Sequence, residues 1–292
     1  MIGQLKETTM TTRLGTLSNP FKSLFKLPRG WDIKFSPRFM AYVPTYEINI
    51  ETKSYSLETA SSVKDLLEVF ELRHQIFLED VGAAKIEDDG YDLDEFDSIC
   101  DHLIIRSKED NRIVGTYRVI SSLYSDSFYS QTEFNLDEFL DTPGHKLELG
   151  RACIHHGHRN GAVIDLLWRG IAEYIKLTGS KYLFGCSSIK IQGACEAKSI
   201  LNYFNEDENA TDLFKIRPIG KFNMNLEKVE AAKLEPSDVK TLVPPLLRSY
   251  FSAGSKVYGH PALDREFKCV DFLTILNCEE LTSGYKRRYF KN

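Results

Sequence analysis

Apolar positions change period along the chain, and each change marks an element. Val63, Leu66, Leu67, Phe70, Ile76 and Phe77 recur mostly at helical spacing, after Ser62 and Asp65 in a capping-box arrangement. Residues 80–98 then form an acidic loop. Residues 102–106 and 113–121 read as paired strands joined by the turn KEDN. A polar and aromatic excursion fills 122–146. Strand 147–154, helix 162–178 and strand 181–187 make a β-α-β unit. A helix over 190–203 follows, then a loop-rich stretch over 205–240 with strand candidates near 214–219. A helix at 245–251 and an apolar strand at 270–276 close the pattern. This order predicts one α/β domain, a mixed central sheet flanked by helices, over residues 46–292.

Residues 1–45 read differently. The first 20 are polar and rich in Thr and Ser, a disordered leader by composition. In FKSLFKLPRGWDIKF, Phe21, Leu24, Phe25 and Leu27 alternate with Lys22 and Lys26. Such a patch either lies on an anionic membrane surface or packs on the domain. The net charge of −5 carries no nucleic-acid footprint. Six scattered cysteines, with no C-x-x-C pair and no zinc spacing, fit reduced thiols in a cytoplasmic protein. No run approaches the roughly 20 apolar residues of a membrane span. Peripheral attachment to the inner membrane is the expectation that remains.

The candidate chemistry centres on LELGRACIHHGHRNGAVIDLLW, residues 147–168. Glu148 and Arg151 stand three apart on a strand, so they face opposite sides unless a bulge intervenes. Gly150 between them is the position that could permit one and free a backbone N–H for an oxyanion. The alternative is a surface ion pair of little energy. Asp92, Asp94, Glu95, Asp97 and Asp101 form an acidic cluster that could receive a cation or a metal. A solvated loop is its plainest reading, because calcium loops space their ligands differently. Arg73 and Arg118 sit among apolar neighbours, so each needs an anion, internal or from a substrate. His155, His156 and His158 lack metal-ligand spacing and read as phosphate-facing or solvent-exposed. Arg159, Asn160 and Gly161 stand before a helix, where one phosphate fits. Gly161 lies two places after Arg159, not three, so the usual coenzyme-A signature is only partly met. That spacing suits a phosphopantetheine arm with its single phosphate. Cys153 and Cys186, in apolar strands, read as inert thiols.

LRHQIF (72–77), DLDEFDSICDHLII (92–105), VGTYRV (114–119), FYSQTEFNLDEF (128–139), LELGRACI (147–154), LLWRGIAEY (166–174) and YLFGCSS (182–188) together resemble the ornithine-lipid type N-acyltransferases. These are members of the GCN5-related superfamily, some of them known as hemolysin-like. Residues 243–276 are also similar to theirs, so the resemblance spans about 60–290. Arg73, Phe77, Asp94, Asp97, Arg118, Glu148 and Arg151 also echo the motif of the acyl-homoserine-lactone synthases.

The resemblance implies a GCN5-related acyltransferase fold with N- and C-terminal extensions. It implies an acyl carrier protein thioester as donor and the α-amine of an amino acid, such as ornithine or glycine, as acceptor. No permanently bound cofactor and no metal is called for; the acyl-phosphopantetheine arrives with its carrier. Glu148, Gly150 and Arg151 then form the catalytic set. Arg73, Phe77, Asp94, Asp97, His102 and Arg118 bind substrate, with Asp94 and Asp97 available to a cationic side chain. His158, Arg159, Asn160 and Gly161 hold the donor phosphate. Arg159, Lys181 and Lys190 meet the acidic carrier protein. Aromatic and leucine side chains of 124–140 line an acyl tunnel. Three competing readings are a lactone-forming synthase, a non-catalytic protein that binds acyl carrier protein or membrane, and a secreted pore-former, which the lack of amphipathic hairpins disfavours.

Overall fold

Among the described residues twelve strands carry the architecture: β1 Asn49–Glu51, β2 Tyr55–Thr59, β3 Asp101–Ser107, β4 Ile113–Ser121, β5 Phe134–Asn135, β6 Lys146–Ile154, β7 Tyr182–Ile189, β8 Ala210–Thr211, β9 Arg217–Pro218, β10 Lys256–Tyr258, β11 Ala262–Asp264 and β12 Cys269–Asn277. The computed structural model describes residues 37–81, 90–191 and 193–290. Ten strands form one sheet in the order β1-β2-β3-β4-β6-β7-β12-β10-β8, with β11 also on β12. β5 and β9 pair separately. The β6–β7 and β10–β8 pairs are parallel and the rest antiparallel, so the expected mixed sheet is present.

Alternation along the strands separates two faces. Leu103, Ile105, Tyr117, Val119, Leu147, Leu149 and Leu183 point to one side, where helix Gly161–Thr178 covers them with Val163, Leu166, Trp168, Ile171 and Ile175. That helix starts where Asn160 Oδ1 accepts from the N–H groups of Ala162 and Val163, and stops at Gly179 in the left-handed region. On the other face, helix Val63–Val81 lays Leu66, Val69, Phe70 and Ile76 against Ile104 and Ile113. Its N-terminus is the expected box: Ser62 Oγ accepts from Asp65 N–H, and Asp65 Oδ2 accepts from Ser62 N–H.

Several expectations need correction. Phe39 is buried and stacks on Phe70 at 5.9 Å, so the packed core reaches back before Tyr46. The helix expected over 190–203 is Ala194–Glu206, delayed until Glu196 can cap Gly193 N–H. The strand near 214–219 shrinks to Arg217–Pro218, since proline cannot extend a ladder. Phe128, Phe134, Leu136 and Phe139 pack tightly on Phe184, Ile216, Leu273 and Ile275. They are core, and they do not line a tunnel. The patch at 21–27 and residues 82–89 of the acidic loop lie outside the described residues.

β6 and β7 pair only through Lys146–Glu148 and Tyr182–Phe184. Beyond that the two strands part. Gly185 sits at the fork: a Cβ there would come within 2.1 Å of the Leu149 carbonyl oxygen. Only glycine allows so close a backbone approach. The gap that opens past this fork positions everything that follows.

Candidate active site

A cavity of about 740 Å³ fills the gap between β6 and β7. Glu148, Arg151 and Arg118 border it on one side, Cys186, Ser187 and Ser188 on another, and Arg159, Asn160 and Gly161 at the helix start. Ile164, Leu167, Leu246, Leu247 and Tyr250 give it an apolar wall. The apolar lining thus comes largely from helices Gly161–Thr178 and Pro245–Ala253 and not from residues 124–140, except for Tyr129 beside Ser130. A second cavity of about 660 Å³ lies near β1 and the C-terminus. Its charged rim is partly self-satisfied, with Arg288 on Asp165 at 2.7 Å, and it shares no lining residue with the larger cavity.

The bulge exists, one residue later than glycine suggests. Thr116 faces Cys153 and Arg118 faces Gly150, so β6 spends one residue more than β4 over this interval. The left-handed conformation falls on Arg151, at φ 49°, not on Gly150. A non-glycine residue costs about 1–2 kcal/mol there. The Arg151 guanidinium offsets this with a 2.9 Å hydrogen bond to Asp94 and positions over the Tyr129 and Phe267 rings, 4.8 Å from each centroid. The bulge leaves Arg151 and Ala152 without partners in the β4 register, and both line the cavity.

Glu148 is buried. Its Oε2 accepts from Tyr129 N–H and its Oε1 from Ser130 N–H, each at 2.7 Å. Burial pushes its carboxyl above the usual glutamate range, while the two N–H groups and Arg118 pull it back. The turn Tyr129–Thr132 is therefore fastened to the carboxylate that sequence reasoning singled out. Its only signal beforehand was the string FYSQ.

The acidic cluster is not a solvated loop. Arg73 is fully buried and donates to Asp92 (2.7 Å) and to both oxygens of Asp97 (2.7 and 3.1 Å). Arg118 donates to Asp94 at 2.6 Å and Asp97 at 3.3 Å. With Arg151 on Asp94, three guanidiniums from a helix and two strands neutralise three carboxylates. An unpaired buried charge costs several kcal/mol, which explains the alternation. Arg73 and Arg118 hold Asp97 far below the ordinary carboxylate range. Composition shows the acids but not that their partners converge from elsewhere in the chain.

The other expected residues divide. His102 is buried beneath this network, 3.3 Å from the Asp97 carbonyl and from Cys100 Sγ, and burial lowers its pKa to about 4. It braces the network as a neutral ring and does not line the cavity. Phe77 lines it, edge-on to Phe267 at 5.7 Å. His158 turns away to the Tyr55 hydroxyl at 3.0 Å and is not part of the phosphate seat. Asn160 caps two helix N–H groups itself, which narrows that seat to the Gly161 end and the cations of Arg159 and Lys190. Lys181 is at the opposite end of β7 from the cavity, on Glu279 at 3.2 Å. Cys153 and Cys186 are thiols, and burial pushes that of Cys186 well up. Sequence reasoning missed Asp264 and Asp271, both on the cavity wall. Asp271 was detectable as the one charge in CVDFLTIL.

Residues 72–169 match the model of the acetyltransferase (GNAT) domain, the stretch that carries Glu148 and the three paired arginines. The chain is 28% identical over 251 residues to an L-ornithine N(alpha)-acyltransferase of Brucella abortus, covering 81% of this chain and 89% of that protein. It is 26% identical over 254 residues to one of Rhizobium meliloti, covering 82% and 84%. Among solved structures, the acyl-homoserine-lactone synthase LasI aligns over 84% of this chain and 96% of its own, with a TM-score of 0.47 and 14% identity.

Proposed function

We propose that this protein is an N-acyltransferase that moves a long acyl chain, 3-hydroxylated or not, from acyl carrier protein to the α-amine of an amino acid such as ornithine. The product is an acyl amino acid, a first step toward an amino-acid-containing lipid. The observation that carries this reading is the shared cavity. It sets a buried glutamate, a strand bulge with unpaired positions, a basic helix entrance and an apolar wall around one space. The names of the similar proteins supply the chemical class of acceptor.

In this reaction the amine nitrogen attacks the thioester carbonyl, the C–S bond breaks, and the pantetheine thiolate leaves and takes a proton. Glu148, directly or through a water, removes a proton from the α-ammonium; its raised pKa suits it to hold that proton transiently. The bulge positions Arg151 and Ala152, unpaired in the β4 register, supply the backbone N–H that holds the developing oxyanion in this reading. Arg151 Nε, buried without a hydrogen-bond partner, is the donor for the acceptor carboxylate. Arg118 is already engaged through Nη1 with Asp94 and Asp97, and it borders the same cavity beside Arg151. Arg159, Lys190 and the Gly161 helix end take the single pantetheine phosphate. The acyl chain runs along Ile164, Leu246 and Tyr250.

The test is direct. Purified protein with C16 acyl carrier protein and ornithine should release free carrier thiol and an Nα-acyl amino acid detectable by mass spectrometry. Absence of that product with every amino acid offered overturns the reading.

A further inference from the structure

The cavity has a second acidic corner, and unlike the first it has no cation of its own. Asp264 on β11 and Asp271 on β12 stand on the cavity wall, 4% and 3% exposed. Glu133, 1% exposed, points at them: one carboxylate oxygen from each of the three lies within 4.8 Å of the others. Glu133 Oε1 has no hydrogen-bond partner. Asp264 accepts from the N–H groups of Glu266 and Phe267, and Asp271 from the Ser188 hydroxyl. Among the described residues no lysine, arginine or histidine pairs with any of the three. Arg151, whose field reaches Asp271, is already held by Asp94. Buried carboxylates with no counter-ion are costly, and a cation that enters this corner recovers the loss.

The corner adjoins the reacting centre. Glu148 is bonded to Ser130 N–H, Ser130 Oγ is 3.5 Å from Cys186 Sγ, and Cys186 Sγ is 3.8 Å from Glu133. Glu148, Asp264 and Asp271 thus border one and the same cavity. Resting on the reading of the acceptor as an amino acid acylated on its α-nitrogen, we infer that Asp264, Asp271 and Glu133 bind the acceptor's side-chain ammonium. The acceptor is then a diamino acid. An ammonium held among carboxylates stays protonated and cannot attack, so acylation falls on the α-amine beside Glu148. Burial first, and then the neighbouring carboxylates, raise the carboxyl pKa of Asp271 to about 6 and that of Glu133 well up; Glu133 and Asp271 share a proton while the corner is empty, and an entering ammonium takes its place.

The experiment uses the full chain, wild type and the Asp271→Asn and Glu133→Gln variants. With C16 acyl carrier protein as donor, it compares ornithine with norvaline, which has the same skeleton without the second amine. Wild type should favour ornithine by at least about 10²-fold in kcat/KM, and the ratio should fall to within about tenfold in the variants. A variant that merely folds poorly slows both acceptors and keeps the ratio. A wild-type ratio near one, or a ratio unchanged in both variants, overturns the inference. A second arm omits the donor and follows thermal unfolding. Ornithine, and not norvaline, should raise the Tm of wild type but not of Asp271→Asn. If no amino acid is acylated yet this protection persists, the acyltransfer reading fails and the cation site stands. Acylation without discrimination sinks the site alone. Protection by magnesium or calcium chloride that Asp271→Asn abolishes would assign the corner to a metal and overturn the inference.

Discussion

At the residue scale, Glu148 is both a fastener and the candidate base. Glu148→Gln should lower turnover by about 10²–10⁴-fold. It also sets an amide N–H₂ against the Tyr129 or Ser130 N–H, so it should cost about 1–3 kcal/mol of stability. Kinetics and chemical denaturation on one preparation separate the two effects, and a stable variant with wild-type turnover excludes the role as base. The base works only when deprotonated and its pKa is raised. Wild-type activity should therefore fall as pH drops through a midpoint above 4.5, the ordinary glutamate value. Asp97 is different in kind. It accepts from both Nη atoms of Arg73 and from Asp94 N–H. Asp97→Asn leaves Arg73 under-paired in a buried site and should cost about 3–5 kcal/mol by urea denaturation. Its folded pKa is depressed, so its contribution is present above the unfolded value of 3.8 and is lost as pH falls below it. The difference between wild type and variant should accordingly shrink only in strong acid.

At the scale of elements, the site is made by two departures from regular sheet. The bulge at Arg151 brings Arg151 to the side of Glu148, where a straight strand would separate them. The fork at Gly185 opens the cavity. Gly185→Ala places a methyl 2.1 Å from the Leu149 carbonyl oxygen, a backbone atom that cannot rotate away. The strands must shift apart where they still pair, and the expected loss exceeds about 3 kcal/mol. Urea denaturation measures it, and a variant of near wild-type stability contradicts this geometry. Gly150→Ala is the contrasting case: its Cβ would meet only the Arg118 guanidinium at 3.9 Å, an ordinary contact.

At the scale of the whole molecule, two proposals concern partners. A single-phosphate entrance of Arg159 and Lys190 suits a pantetheine arm. Matched C16 donors should give a kcat/KM at least about tenfold higher for acyl carrier protein than for acyl-coenzyme A, with an on-rate that falls as salt rises. Equal or better use of coenzyme A contradicts this. The second proposal is reversible attachment to an anionic inner leaflet through FKSLFKL and the basic tail. Among the described residues no helix is long and apolar enough to cross a membrane. Each cation near an anionic leaflet is worth about 1 kcal/mol. Full-length protein should pellet with anionic vesicles at low salt. Phe21→Ser with Leu24→Ser and Phe25→Ser should pellet much less, and equal pelleting, or none by either, rules out the anchor. The helix Ser283–Tyr289 also bears on this: it docks by Arg288 and Tyr289 on Asp165, so part of the tail's charge is committed to the fold.

The sequence by itself determined most of the elements and singled out Glu148 and Arg151, which the structure places on the wall of one cavity. Hydrophobic period is a local property, and it sufficed for the Ser62 box, the 102–121 hairpin and the β-α-β unit around LELGRACI. Glu148 and Arg151 were legible because charges inside an apolar strand have few local explanations. Partnership is not local. That three arginines neutralise Asp92, Asp94 and Asp97 depends on a helix and two strands meeting, so composition read those acids as solvated. The same holds for the aromatic excursion, which became core, and for helix Pro245–Ala253, which became cavity wall. His158 lay in the right segment but faced Tyr55, because ring direction follows the packing around it. Only the tertiary structure placed Glu133 with Asp264 and Asp271, more than 130 residues away in sequence, and only there is their missing counter-ion apparent.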